Sequence, residues 1–566
     1  MSERGVMKLR HLKVENFRGI QNLDLDFDDI TVVIGENNSG KTAVLDVLRL
    51  CLGPRGRPVF DAFDFHLKDA AAEPSSADPI QVTITFSEDA TGDWDDQLVG
   101  RLNRQRVLQV GADDRSHVVL RVRGFYDASS RDIDQDWKFL TLDGQPLTAV
   151  SDTALGALRH EVAYFYLAAL RDAARHFDAK GPYWRPFLKD SQLPAEKKAD
   201  IEQKLKEVND LVVASHTSFE QARDRLRSVQ DVVSLGPGDV VSIEAVPGRM
   251  FDMLSKAQIH LGSSTGAKIP VGRHGEGTQS LAVLMLFSAF LDAWPSGTPI
   301  VGLEEPEAHL HPSAIRALWG IMERIAGQKI ISTHSGDLLS EVPIRSVRRL
   351  SKSPTGIAVH RLGKETLSAD DERKFDFHIR HARGELLFAK CWLLVEGETE
   401  VTLLSEIARH LGINLERAGV RCVPHRHVGI ELFLKVARDL GIIWCVLADN
   451  DRQGVDDQKH AQTYSGAASL PDVLHVMTEP DIESHLCATG FGSVYAAWLS
   501  QQTRPKVTVG PADQNYWTQV LAAIKNILVK PAAAIEVLNL IIARTVPVPP
   551  LLERTLRSSV LLAGGV

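Results

Sequence analysis

Cysteine is scarce in this sequence: five in 566 residues, Cys51, Cys391, Cys422, Cys445 and Cys487. None forms a C-x-x-C pair, which argues against a disulfide framework and against a zinc module. They read as reduced core thiols of a cytoplasmic protein. Long hydrophobic runs are missing as well. The longest, around Leu281–Leu291, is too short to span a bilayer and reads as a buried helix. The N-terminus lacks the apolar core of a signal peptide, so no membrane association is expected. Positive charge is not in excess either. Net charge is −9, so any contact with nucleic acid must come from local patches. The remainder is ordinary globular composition, 44% hydrophobic and 24% charged. The length suits several domains, roughly four.

One stretch organises the chain. Gly35-Glu36-Asn37-Asn38-Ser39-Gly40-Lys41-Thr42 fits G-x-x-x-x-G-K-[ST] without a mismatch. Before it, Ile30–Ile34 is a β-branched run that predicts a buried strand. After it, apolar Val44, Leu45, Val47, Leu48 and Leu52 predict a helix over 43–52. Strand, glycine loop and helix make a phosphate cradle, because loop N–H groups and a helix N-terminus both face an anion. Lys41 would reach the β- and γ-phosphates of ATP, and the Thr42 hydroxyl would hold magnesium.

Two further strands end in chemistry. Pro299–Leu303 runs into Glu304-Glu305-Pro306-Glu307. Glu304 can hold the nucleotide's magnesium, and Glu305 can act as the base toward the attacking water. Ile330–Thr333 leads to His334, placed to sense a γ-phosphate. Between the phosphate loop and these carboxylates, His274-Gly-Glu-Gly277-Thr-Gln279-Ser280 precedes the helix expected over Leu281–Leu291 and offers a second anion-binding turn at Gly277.

Elsewhere, strands are expected at Leu9–Phe17, Leu23–Phe27, Ile80–Phe86, Val118–Tyr126, Trp137–Leu140, Val162–Leu167, Val240–Val246, Val347–Leu350 and Ile357–Leu362. Segments 70–79 and 87–97 read as loops. Ala195–Val229 reads as a charged helical insertion, either a solvated lid or a dimerisation arm. Residues 363–378 are polar and charged and read as a linker. A βαβαβ unit then follows, with strands Cys391–Val395, Val420–Val423, Ile442–Leu447 and Val473–Met477. Residues 491–566 read as mainly helical.

The second unit carries carboxylates at its strand ends. Trp392–Val395 ends in Glu396-Gly397-Glu398-Thr399-Glu400, and Val446–Ala448 ends in Asp449-Asn450-Asp451. Val473–Met477 leads to Glu479, Asp481 and Glu483. Parallel strands would deliver these to one C-terminal sheet edge. Such a cluster repels itself unless cations fill it, and its hard oxygens suit Mg²⁺ or Mn²⁺.

The first half resembles chromosome-maintenance ATPases of the ABC type. Its strand pair precedes the phosphate loop, the His274–Ser280 turn is similar to their signature motif, and Ala308–Pro312 is similar to their D-loop region. A strand ending in V-E-G followed by one ending in D-x-D resembles the Toprim fold. The whole order resembles the OLD (overcoming-lysogenisation-defect) endonucleases. The resemblance implies an α/β chain: an ABC-type P-loop ATPase with a helical dimerisation insertion, then a Toprim domain with a helical C-terminal region. The boundaries it suggests are 1–190 and 236–370 for the ATPase, 191–235 for the insertion and 386–566 for Toprim. It implies that Gly35, Asn37, Asn38, Ser39, Gly40, Lys41 and Thr42 bind nucleotide, with Gly277 acting across a homodimer. It implies Glu396, Glu400, Asp449 and Asp451 as metal ligands, Asp481 and Glu483 completing a second site, and a catalytic lysine, Lys530 or its rival Lys525. The implied activity is metal-dependent DNA cutting, in phage defence or DNA processing, with a defence-system protein as a further partner. The alternatives are a maintenance ATPase whose Toprim domain only regulates, a topoisomerase, a primase and a non-enzymatic scaffold. No tyrosine has a recognisable nucleophile setting and no zinc module is present, which speaks against the topoisomerase and the primase.

Overall fold

A computed structural model describes residues 7–53, 60–69, 72–127, 129–130, 132–168, 194–215, 260–261, 269–270, 273–292, 298–382, 384–466, 468–526 and 528–564. The strand expected at 240–246 and the insertion beyond residue 215 lie outside these residues.

The first half holds two six-stranded sheets. One is antiparallel, ordered Ile20–Asp26, Lys8–Phe17, Ile80–Ser87, Ser116–Asp127, Gln109–Val110, with Asp132–Leu140 also paired to Ser116–Asp127. The other is ordered Gly356–His360, Val347–Ser353, Ile30–Gly35, Gln328–Ser332, Thr298–Glu304, Val162–Leu167, and is parallel apart from the hairpin at its first edge. The helix Lys41–Leu52 lies between the two sheets. Its Val44, Leu45, Val47 and Leu48 share a core with Leu12, Val14 and Ile84 of one sheet and Val33, Ile300 and Ile330 of the other. The apolar spacing read from the sequence therefore serves two faces.

The second half is a four-stranded parallel sheet ordered Val420–Pro424, Cys391–Val395, Ile443–Ala448, Leu474–Val476. Its strands are apolar on both faces because both faces are covered. Trp392, Leu394 and Val446 enter the core shared with the first half. Cys391, Leu393, Val395 and Cys445 face the helices Lys530–Ile542 and Pro550–Leu562.

The structure corrects the expected linker. Residues Ala369–Ala382 form a helix, and Phe375 and Ile379, one turn apart, are buried in the shared core. Charge on the outer face masked this inner stripe. Phe375 and Trp392 both meet the ring of Phe433 at 5.8 Å. Burying side chains of this size contributes about 1.5–3 kcal/mol each. Three smaller corrections follow. The helix expected from Leu281 begins at Glu276, so Gly277–Ser280 form its first turn. The loop expected at 87–97 spans 88–95 and ends earlier than expected, at a helix, Asp96–Gln105, capped by the Asp95 carboxylate accepting from Leu98 N–H at 2.7 Å. The strand expected from Trp137 starts at Asp132.

Arg349 fastens the halves. It sits in the strand next to the phosphate-loop strand, and its guanidinium is buried. It donates to the carbonyls of Leu440 (3.1 Å), Gly441 (3.0 Å) and Ala389 (3.0 Å), all in the second half. Arg349→Ala strands these acceptors, at about 2–4 kcal/mol. Its thermal unfolding is expected to split into two transitions; a single transition at the wild-type temperature would contradict the bridge.

The cysteines are free, and four of the five are fully buried. Burial raises the Cys51, Cys391, Cys422 and Cys487 thiols to about 12. Thiolate is then almost absent at pH 8, and these cysteines are expected to resist iodoacetamide until denaturant is added. Their rapid alkylation in the native protein, read by mass spectrometry, would contradict this packing.

Candidate functional site

The phosphate loop is built by backbone shape. Asn38 (φ 62°) and Gly40 (φ 95°) take left-handed conformations. A Cβ at Gly40 would lie 2.7 Å from Ile357 Cδ1, so glycine is needed for both space and angle. Lys41 Nζ folds back on the loop and donates to the carbonyls of Gly35 (2.8 Å) and Glu36 (2.7 Å). Burial lowers its pKa to about 8, with Glu305 and Glu36 opposing. Ser39 Oγ is buried without a hydrogen-bond partner. An unpaired hydroxyl beside a poorly solvated ammonium fits a phosphate group.

The carboxylates meet this loop. Thr42 Oγ1 donates to Glu304 Oε1 at 2.5 Å, and the Tyr166 hydroxyl donates to the other Glu304 oxygen. Glu305, forced to φ 43°, stands 3.4 Å from His334 Nε2. A non-glycine residue pays on the order of 1–2 kcal/mol for that conformation, and such strain gathers at functional sites. Burial, then Lys41, lowers the His334 pKa, with Glu305 opposing. Glu307 is buried and fixes the His334 turn by accepting from Thr333 Oγ1 (2.6 Å) and His334 N–H (3.0 Å). Lys41, Thr42, Glu304, Glu305 and His334 are thus brought together. Gly277 is not placed with them by any such bond: its neighbours are His309 and Leu310, and Glu276 pairs with His309 at 3.2 Å.

The second site is a cavity of about 340 Å³ at the C-terminal edge of the four-stranded sheet. Glu396, Glu400, Asp449, Asp451, Asp481, Glu483, Lys525 and Lys530 all line it. Three of the carboxylates are anchored by nearby main-chain N–H groups. Asp451 Oδ1 accepts from Gly454 N–H (2.8 Å), Asp481 Oδ1 from Ser484 N–H (2.8 Å) and Glu400 Oε2 from Gly397 N–H (3.0 Å). A Cβ at Gly454 would collide with the Asp449 carbonyl at 2.1 Å, so glycine lets this helix close against the strand end. Lys530 Nζ pairs with Glu483 Oε1 at 2.6 Å. Burial alone would lower the Lys530 pKa, yet the hydrogen bond and charge of Glu483, with Glu400 and Asp481, leave it raised.

The cluster repels itself. Burial, then the hydrogen bond and charge of Glu396, hold Asp449 well above the usual carboxylate range. Burial, with Glu483 and Glu396 adding, brings Glu400 to about 7. Among the described residues, no three acidic, imidazole or thiol groups already form a metal cage. The donor set nonetheless fits a hard divalent cation: buried carboxylates in excess, short of positive partners. Three residues beyond the sequence reading belong here. Arg426 pairs with Glu396 at 3.3 Å. Buried His425 and Asp457 lie 3.8 Å apart beside the same strand ends. Arg426 stands two residues past the end of strand Val420–Pro424, so the strand-end rule that found the carboxylates could have found it.

The phosphate-loop site touches the segment that leads into the second sheet. Lys390 Nζ pairs with Glu36 of the phosphate loop at 3.3 Å, and the ring of Phe388 stacks on His334 at 6.5 Å.

Comparison with known proteins bears on both halves. Residues 7–385 match a family model described as "Protein of unknown function (DUF2813)". The chain belongs to that family. Residues 387–451 match the overcoming lysogenization defect protein-like TOPRIM domain, so the resemblance carried by V-E-G-E-T-E and D-N-D is shown. An uncharacterized Escherichia coli K12 protein, YbjD, is 28% identical over 528 residues, covering 86% of this DUF2813 chain and 88% of that protein. A Thermus scotoductus protein named OLD nuclease is 26% identical over 490 residues, covering 80% and 84%. The Bacillus cereus protein named endonuclease GajA is 22% identical over 470 residues, covering 80% and 76%. Among the described residues, no helix is long and apolar enough to cross a membrane.

Proposed function

We propose that this protein is a nucleotide-binding, divalent-metal-dependent DNA endonuclease that acts as a homodimer. The observation that carries the reading is the gathering of Glu396, Asp449, Asp451, Asp481, Glu483 and Lys530 around one cavity. Relatives named as nucleases support it. In this reading Glu396, Glu400, Asp449 and Asp451 hold one ion, and Asp481 and Glu483 complete a second. Such ions supply an activated attacking oxygen and stabilisation of the leaving one. Lys530 places a positive charge against the scissile phosphate once it is released from Glu483; Lys525 lines the same cavity as the alternative donor. In the first half Lys41 and the loop hold the nucleotide phosphates, Thr42 and Glu304 the nucleotide's magnesium. Glu305 orients the attacking water and His334 contacts the γ-phosphate. Gly277 meets nucleotide bound by the other subunit. The biological role that fits is cutting foreign or damaged DNA in the cytoplasm, as in phage defence or DNA processing, alone or with a defence-system protein. One observation favours a second reading, in which the Toprim domain only regulates the ATPase: among the described residues, no three such groups already form a cage.

Plasmid nicking in Mg²⁺ or Mn²⁺ separates these readings. Asp449→Ala is expected to lose on the order of a hundredfold in cutting rate, comparable to removing one electrostatic stabiliser, while ATP hydrolysis persists. Equal nicking by wild type and Asp449→Ala would end the nuclease assignment. Lys41→Ala is expected to lose nucleotide binding in a filter or calorimetric assay; undiminished ATP turnover by that folded variant would remove the phosphate-loop assignment. Light scattering is expected to give two chains or more per particle at micromolar concentration. The mass of a single chain, with and without ATP, would contradict the dimer.

A further inference from the structure

A second, larger cavity opens beside the carboxylate site. Its volume is about 910 Å³, and its lining includes Arg373, Lys374, Phe377, His378, His381 and His427. His427, Glu398 and Pro424 line both cavities, so the two are contiguous along one wall. The outer wall is the helix Ala369–Ala382, whose inner stripe is core and whose outer stripe is this surface.

That outer stripe has an unusual chemistry. Phe377 is 61% exposed, costly for a large apolar ring. His381 lies against it with ring centroids 4.1 Å apart, and the His381 Nδ1–H donates to the Phe377 carbonyl at 2.8 Å. The two rings, tilted by 41°, together present an aromatic surface to the cavity. One helical turn earlier, Arg373 and Lys374 extend into solvent and pair with Asp370 at 3.4 and 2.7 Å. Exposed pairs of this kind are weak and are readily exchanged for another anion. Deeper in, His378 rests edge-on against Phe433 at 5.0 Å, and its Nε2 is buried without a hydrogen-bond partner. Cations, an aromatic platform and an unpaired ring nitrogen are the elements that hold a phosphate backbone and an unstacked base.

We propose that this cavity seats an unpaired segment of the DNA strand leading into the carboxylate site. The inference rests on the nuclease reading and names its substrate class: DNA with a single-stranded stretch. Phe377 and His381 stack a base, and Arg373 and Lys374 take the flanking phosphates. His378 Nε2 meets a base edge, and His427 marks the passage to the cutting cavity. A duplex is a poor fit, because a paired and stacked base hides the face that the platform needs. Since the chain's net charge is −9, binding depends on these few local cations and falls with salt.

Fluorescence anisotropy of the full chain in EDTA tests this without any cutting. The probes are a labelled oligothymidine strand and a blunt duplex of equal length. Wild type is expected to prefer the single strand. Phe377→Ala is expected to weaken that binding by about tenfold, the value of one stacked base, while duplex binding is unchanged. Phe377→Trp restores the platform and is expected to bind as wild type does. Single-strand affinity that Phe377→Ala leaves intact, or a wild-type preference for duplex, overturns the proposal. The nuclease reading falls separately, on nicking by Asp449→Ala: either result can fail while the other holds.

Discussion

A buried positive charge that belongs to one half and bonds only the other holds this molecule in one piece. Arg349 hydrogen-bonds three carbonyls across the junction, and removing it leaves all three unpaired in a dry core. Around it, Phe375, Trp392 and Phe433 close a single apolar core that runs from the phosphate-loop strand to the second sheet. Two α/β units with their own sheets are thereby set at a fixed separation. The positions of both candidate sites follow, since each lies at the C-terminal ends of parallel strands.

Both sites are crowded with carboxylates, yet their electrostatics differ. Glu304 and Glu305 stand near Lys41 and His334, and Glu304 is further satisfied by the Thr42 and Tyr166 hydroxyls. At the second site, Asp449 and Glu400 are driven toward protonation by burial and by their neighbours. Among the described residues, Lys530 and Arg426 alone form ion pairs with the cavity's Glu483 and Glu396. One site has a built-in cation for an anionic ligand, whereas the other is short of cations. The Lys390–Glu36 pair and the Phe388–His334 stack join the phosphate-loop site to the segment just before the strand that ends in Glu396. A ligand on the phosphate loop that moved Glu36 or His334 would therefore act on the strand that ends in Glu396.

Much of this was legible in the sequence because the chemistry follows strand ends. A β-branched run closing in G-x-x-x-x-G-K-T, E-E-P-E, V-E-G-E-T-E or D-N-D announces where its last side chains go. The junction was not legible. Residues 363–378 look like a charged linker, and only Phe375 and Ile379, one turn apart, betray a packed helix. Two apolar residues among many charges are too weak a period to read without their partner, Phe433, more than fifty positions on. Arg349 was hidden for the same reason, because its acceptors are main-chain carbonyls that no side-chain pattern marks. The first turn of Glu276–Asp292 was read as loop because Gly275 and Gly277 suggested one.

The central claim is that the carboxylates of the second sheet form a divalent metal centre. Manganese titration of the full chain without nucleotide, followed by electron paramagnetic resonance, reads that centre directly. Wild type is expected to take up Mn²⁺ tightly, Asp449→Asn to lose this uptake, and Lys41→Ala to keep it. Equal uptake by wild type and Asp449→Asn would contradict the account.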